Sequence, residues 1–374
     1  MHLTERRCRA SVCNKLIRMS HPDRLGASGG AQANAIAEPP HLNGISSLAE
    51  FATTHGLKQS AARPPMGLYI RQLWQRRHFI WTFASAKSVS MYTESRLGQL
   101  WQLLTPLLNA AVYYLIFGVL LGRKGDVTHY IPFLVIGVFF FHFTQRSITS
   151  GAKSVQANLS LIRALHFPRA ALPFSFTIVE LQQLFAAMSV LVVIMLGFQE
   201  YPAWSWLLII PVLLLMLLFN MGASLVVARI GAFVPDLSQL LPFILRTWLY
   251  FSGIMYSLYS LTSRLPFWAI RLMEANPGSV YVELARRALM PSYRKDLVHM
   301  KVTTAAKCAA PVREDLTGSA LKTVTELQSR ACTQHDSLIA MDQTVWYYAV
   351  GWAVVAFALG FWYFYRAEER YGRG

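Results

Sequence analysis

The sequence predicts an all-α integral membrane protein. Six transmembrane helices are preceded by an amphipathic cytoplasmic interface helix and interrupted, before the last span, by short re-entrant helices on the external side. Three observations predict this. Of the 374 residues 54% are hydrophobic and only 14% charged, about half the charged share of a soluble domain. The apolar residues gather into runs near the ~20 residues that cross a hydrocarbon core. Lys and Arg cluster on the flanks and connections that alternate to one side.

The formal net charge of +16 does not make a nucleic-acid binder. The basic residues sit beside apolar runs, where they hold topology and meet anionic headgroups. Cys8 pairs by proximity with Cys13 and Cys308 with Cys332, and no Cys/His cluster has zinc spacing, so no metal is expected. Residues 1–66 hold no apolar core of the length a cleavable signal needs. Rich in Ala, Gly, Ser, Pro and His, they read as a disordered cytoplasmic extension. A start codon assigned upstream of a true start at Met19 or Met66 fits equally.

The amphipathic interface helix is expected over 67–100. Ile70, Leu73, Trp74, Ile80, Trp81 and Ala84 can share one face, with Arg71, Arg76, Arg77 and Lys87 on the other flank. That distribution suits a helix lying in the membrane plane. Around Arg96 it turns into the first span with almost no linker, as a device receiving force from a soluble partner would.

Spans 1–5 are expected within 101–259, at about 101–121, 130–151, 172–197, 204–228 and 238–259, and span 6 at 344–364, followed by a tail. Pro106, Pro132, Pro173, Pro211 and Pro242 fall inside or at the ends of these runs, where neighbouring helices can satisfy the freed carbonyls. With the N-terminus inside, Lys153, Arg163, His166, Arg169, Arg229, Arg366, Arg370 and Arg373 are all cytoplasmic. Only Arg123 and Lys124 oppose them in the short outer loops, which satisfies the positive-inside rule.

Several stretches are candidates for function. Between spans 2 and 3, Leu159, Ile162 and Leu165 can line one side of a short helix that Pro168 ends by biasing Phe167 out of helical geometry. It resembles a plug for a groove in another protein; an amphipathic connector on lipid headgroups has the same pattern. Asp236 is placed to cap the fifth span through its side chain. The ionisable residues inside spans are His142, Arg146, Glu180 and Arg246. One carboxylate makes no proton relay, so Glu180 is expected to pair with Arg146 or Arg246 at a helix seam. Aromatics make up 13% of the chain. Most serve as interface-belt residues, and a minority can offer sugar rings a stacking track.

The external loop, 260–343, opens with two apolar pieces too short to span, Leu265–Gly278 and Tyr281–Met290, which read as re-entrant or surface segments. A polar insertion of about 50 residues follows, with a helix near 317–331. Cys308 and Cys332 flank that helix on the oxidising side. A disulfide between them closes a loop of about 25 residues, worth about 3 kcal/mol on a chain-entropy estimate.

In order along the chain, these stretches resemble the type-2 permease subunits of ATP-binding-cassette exporters for cell-surface polysaccharides, the O-antigen, teichoic acid and galactan export family. The resemblance rests on Tyr92 with Ser95-Arg-Leu-Gly98, Trp101 and Pro106; on Tyr130 through Gly137; and on Asn158 through Phe167-Pro168-Arg169. It continues with Pro235-Asp236, Tyr250 through Tyr256, Asn276-Pro277 and Arg286 to Leu289. It covers about 68–290 and the last span, and the tail after Arg366 looks like that of actinobacterial members. The 66-residue extension and the Cys-containing insertion depart from the family pattern.

The resemblance implies a homodimer in the cytoplasmic membrane, both termini cytoplasmic, carrying two copies of a separate ATP-binding-cassette ATPase that binds ATP and magnesium. Asn158, Leu161, Ile162, His166, Phe167, Arg169 and Arg96 would couple to that ATPase. Tyr113, Phe117, Phe139, Phe140, Phe143, Trp248, Tyr250 and Tyr256 would line a channel for a lipid-linked glycan, and 262–290 would form the external gate. No Gly-x-x-x-x-Gly-Lys-Ser/Thr loop occurs, in keeping with a permease that has no catalysis and no cofactor of its own. The alternatives are a drug or antibiotic exporter of the same type and, from another class, a membrane-embedded glycosyl- or acyltransferase. The latter would need a positioned base, for which Glu274, Glu283 and His299 lack convincing spacing.

Overall fold

A computed structural model describes residues 64–93, 96–98, 100–120, 127–164, 167–258, 266–310 and 319–371. The extension up to residue 63 with Cys8 and Cys13, residue His166, and the side chains of Tyr113 and Phe117 lie outside the described residues. Among the described residues there are no strands, and four helices are long and apolar enough to cross a membrane.

The interface region is two helices, α1 (Met66–Gln75) and α2 (Arg77–Ser90). They divide at Arg76, whose backbone leaves the helical region at φ −88° and ψ 10°. Trp74 and Trp81 stay exposed while Tyr69, Ile80 and Ala84 are buried, the one-sided burial of an amphipathic pair. Helix α3 (Leu100–Tyr113), carrying Pro106, continues as a π-helix over Tyr114–Leu120.

Helix α4 (Tyr130–Ser154) is central, packing against α6 (Ala171–Gly197), α7 (Ile209–Phe233) and α8 (Leu237–Phe251). Phe133, Phe139, Phe140, Phe141 and Phe143 are all buried, so its apolar residues point to every side, as in a fully enclosed helix. Between α4 and α6 lie a 3₁₀ turn at Gln156–Asn158 and the short helix α5 (Leu159–Ala164). The expected fifth span contracts to the 15 residues of α8. The chain leaves the helix at Ser252 (φ −92°, ψ 14°), and Gly253 at φ +64° supplies a left-handed turn that other residues adopt only with strain.

Two apolar segments follow as α9 (Phe267–Glu274) and α10 (Pro277–Leu289). The start of α10 is fixed locally. The Asn276 side chain accepts from the Gly278 amide at 3.0 Å, and Pro277 takes the first helical turn. The polar stretch beyond contains a helix that hydropathy did not mark, α11 (Pro291–Ala309). The helix expected near 317–331 and the last span are one continuous 47-residue helix, α12 (Ser319–Tyr365). At 1.5 Å per residue it is roughly 70 Å long, so only its Thr344–Tyr365 end is apolar membrane-crossing helix. Its first half packs beside α11, and Cys308 and Cys332 are joined by a disulfide.

Helices α7 and α12 approach closely because both present glycine. A Cβ on residue 222 would strike the Ala356 backbone, and one on residue 360 would strike the Gly222 backbone. Without a hydrophobic drive between helices in lipid, such small-residue contacts supply the packing.

Candidate coupling site at one end of the bundle

Helix α5 owes its position to an apolar cluster at one end of the bundle. Ile162 is buried there with Val155, Ala171, Phe174, Leu225, Phe361 and Phe364, and Leu159, Leu161 and Phe167 pack against it. The apolar side of α5 therefore faces its own chain and does not stand out as a plug. Burial of aliphatic side chains decides this orientation. Ala157, Ser160, Arg163 and Ala164 are left on the outward face. Asn158 is folded back, its side chain donating to the Ser154 carbonyl at 2.8 Å. Arg96 is exposed in the turn ahead of α3.

The same cluster takes in the interface helices and the tail. Phe79 of α2 meets Phe167 at 5.4 Å between ring centroids. Tyr69 of α1 lies edge-on to Tyr365 at 5.2 Å. The Tyr365 hydroxyl donates to the Pro64 carbonyl at 2.6 Å. Polar contacts then close the arrangement. The Tyr69 hydroxyl donates to Glu368 Oε2 at 3.0 Å and accepts from the Ala170 amide at 3.1 Å. The Arg169 amide donates to Glu368 Oε1 at 3.0 Å, and its guanidinium to the Glu368 carbonyl. Burial pushes both the Tyr69 hydroxyl and the Glu368 carboxyl above their ordinary ranges; for Tyr69 the neighbouring Glu368 charge adds to it.

The expected channel aromatics divide. Phe139, Phe140 and Phe143 are buried in the chain's own core, and Phe139 and Phe143 line a small cavity there. Trp248 is half-buried, edge-on to Phe141 at 5.5 Å, and donates to Asn276 Oδ1 at 2.7 Å. Tyr250 is exposed, and its carbonyl accepts from the Tyr256 hydroxyl at 3.0 Å.

Two expected pairings are corrected. Glu180 makes no ion pair with Arg146 or Arg246. Arg146 donates instead to Gln183 Oε1 at 2.5 Å, one helical turn further along α6, and Arg246 is exposed on α8. One Glu180 carboxylate oxygen has no partner, and the residue lines a cavity of about 30 Å³ with Asn109, His142, Arg146 and Gln183. Asp236 precedes α8 but makes no side-chain cap, because its own backbone is already helical at φ −64°, ψ −20°.

On the side of α9–α11, the acidic residues are structural. Glu274 pairs with Arg271 at 3.1 Å, and Glu283 pairs with Arg287 at 3.0 Å and accepts from the Tyr293 hydroxyl. Arg286 belongs to the family-like pattern of the sequence, which assigns it no role. It is fully buried and donates to the carbonyls of Phe133 (3.1 Å), Gly253 (2.9 Å) and Ile254 (2.6 Å), tying α10 to α4 and to the end of α8.

The family described as ABC-2 type transporter matches residues 78–290, more than half of the chain and the whole course from α2 to α10. The chain belongs to the ABC-2 type transporter family. It is a multi-pass membrane permease, and the match rather than any missing motif sets the enzyme alternative aside. The permease is 24% identical over 189 residues to the O-antigen export system permease protein RfbA of Myxococcus xanthus, covering 50% of this chain and 72% of that one. It is 29% identical over 167 residues to the RfbA of Klebsiella pneumoniae, covering 44% of this chain and 64% of the relative. With the polysialic acid transport protein KpsM of Escherichia coli it shares 27% over 204 residues, 53% of this chain and 76% of the other. The family match stops at residue 290, so α11, α12 and the tail with Glu368 lie beyond it.

Proposed function

We propose that this permease is the membrane subunit of an ATP-driven exporter that moves a lipid-linked cell-surface polysaccharide across the cytoplasmic membrane. Support comes from the relatives, whose names are those of O-antigen export and polysialic acid transport proteins. The observation that carries the reading is the seating of α5, a short helix on the connection between two membrane-crossing helices, sharing one apolar cluster with the interface helices. A partner that displaces α5 displaces packed helices and not a loose loop.

In this reading the chain spans six times, with α3 and its π-helical continuation as the first span and α8 as the short fifth. The N-terminus and tail are cytoplasmic, and α9 and α10 guard the outer end as re-entrant gate helices. Two copies assemble with two ATPase subunits, which bind ATP and magnesium. The apolar residues that α8 leaves outward, Leu240, Phe243, Ile244, Tyr250 and Phe251, are suited to lipid or a second copy. The outward face of α5 with Arg163, and Arg96 ahead of α3, are the surfaces offered to the ATPase. Closure of the ATPase on ATP would then tilt the spans between two packed states.

The test is reconstitution with its partner ATPase. Export of the glycan should require ATP and both subunits, and depletion of the permease should leave lipid-linked glycan inside the cell. Full export by the purified chain without any ATPase would overturn the reading.

A further inference from the structure

Resting on that reading, we propose that Tyr69 and Glu368 are positioning residues for energy coupling. They join the interface helix, the exit of the coupling helix and the C-terminal tail into one mechanical body. The three segments are far apart in sequence: Tyr69 and Glu368 by 299 residues, Glu368 and Arg169 by 199. They converge on a carboxylate that is only 7% exposed. Each carboxylate oxygen is engaged by a different segment, Oε2 by the α1 hydroxyl and Oε1 by the amide of Arg169. The Tyr69 hydroxyl is itself bifunctional, because it also accepts from Ala170, the residue leading into α6.

This arrangement differs from ordinary helix packing. Apolar contacts between helices slide at little cost, whereas buried directional hydrogen bonds between charged and polar groups fix a register. A buried carboxylate is costly to keep, and losing one partner leaves it unsatisfied. The tail is held from its other side too. Tyr371 stacks on Phe364 at 4.6 Å, and the Arg229 guanidinium lies over the Tyr363 ring at 3.9 Å while donating to the Tyr363 carbonyl. The tail after the last span is thus a clasp closed on the two elements that receive the ATPase's push. A displacement of α5 reaches α1 and α12 together instead of being absorbed at the Phe167–Arg169 corner.

The experiment uses the full permease assembled with its ATPase in vesicles, reading ATP hydrolysed per unit of glycan exported. Tyr69→Phe keeps the ring contacts and removes the hydroxyl. Glu368→Gln keeps the shape and part of the hydrogen bonding. Tyr69→Phe is expected to assemble normally and hydrolyse ATP at close to the wild-type rate. Its export should fall about fivefold, the scale of losing one or two hydrogen bonds, and Glu368→Gln should lie between it and wild type.

A second measurement replaces the contact covalently, with Tyr69→Cys and Glu368→Cys in a Cys8→Ser, Cys13→Ser background. The reduced pair should be uncoupled, and a short bifunctional cross-linker should restore export. Export and hydrolysis falling in parallel in Tyr69→Phe, neither changing, or no rescue by the cross-link would each overturn the inference. A wild-type complex that shows no ATP-coupled export would instead overturn the functional reading beneath it.

Discussion

The Arg286 guanidinium occupies the space where a side chain on Gly137 would begin. A Cβ at residue 137 would meet Arg286 Nη2 at 2.6 Å. Glycine at 137 therefore exists for the arginine, which crosses α4 to reach three backbone carbonyls. We expect Gly137→Val and Arg286→Met both to destabilise the region of α10. Arg286→Met would leave buried carbonyls unsatisfied, at about 1–3 kcal/mol each. The check is the thermal midpoint in detergent; combining the two substitutions should cost less than their sum, because the valine's tightest contact, 2.6 Å against 3.0 Å for Ile254 Cγ2, is with the arginine. Full additivity would contradict this account.

The α7–α12 contact gives a second expectation. Gly222→Leu and Gly360→Leu should each disrupt packing, since any Cβ at these positions strikes backbone, and overpacking of this kind costs about 1–3 kcal/mol or more. Gly351→Leu is the matched control on α12, where a Cβ meets nothing within 4 Å. Monodispersity and unfolding temperature of the three variants separate the cases.

Much of this was legible because a bilayer punishes exposed backbone and charge, so membrane-crossing helices announce themselves as apolar runs. Ala171–Gly197 and Thr344–Tyr365 lie within a residue of the boundaries that hydropathy drew. Helix α11 was not legible. It packs on α12 at the polar end of that helix, so no long apolar run marks it, and only Pro291 at its start gives a local signal. The phenylalanines of α4 were legible only as a dense aromatic run; that they are buried within one chain depends on the packing of their neighbours. The Glu368 contacts had no sequence signal, because each partner is an ordinary residue until three distant segments meet.

The disulfide between Cys308 and Cys332 staples the α11–α12 hairpin. Thiol labelling of the purified denatured chain should rise on prior reduction, and replacing either cysteine with serine should abolish the rise. Loss of the bridge should destabilise the hairpin by about 3 kcal/mol for a loop of this length, read as faster proteolysis between α11 and α12. Equal labelling with and without reduction would show that the bridge is not formed.

Glu368 predicts a pH dependence. Burial raises its carboxyl above the ordinary range, outweighing the Arg169 amide, the Arg169 charge and the Tyr69 hydroxyl, which favour the ionised form. Tyr371 and Tyr69 also face it, and burial raises both, so they ionise well above this window. Between the unfolded and the raised folded value, the folded chain holds a proton that the unfolded chain has released. Stability from this group therefore falls as pH rises through that window and grows as pH drops. Glu368→Gln, which cannot titrate, should remove this component of the thermal midpoint's pH profile. An unchanged slope in the variant would count against the buried, raised carboxyl.

The turn ahead of α3 carries the last expectation. The Leu100 amide donates to the Leu97 carbonyl at 3.1 Å, and Gly98 sits at φ +50°, so a hydrogen-bonded turn joins Leu97 to the start of α3. A stiff joint passes on displacement, and a flexible insert of Gly and Ser dissipates it over many conformations. A Gly-Ser pair inserted after Arg96 should therefore leave folding and assembly with the ATPase intact, preserve ATP hydrolysis, and lower glycan export. The decisive comparison is the same pair inserted between α11 and α12, outside the proposed path of force, which should leave the coupling ratio unchanged. Export preserved after the Arg96 insertion would remove this corner from the path and leave α5 and the tail clasp to carry the push.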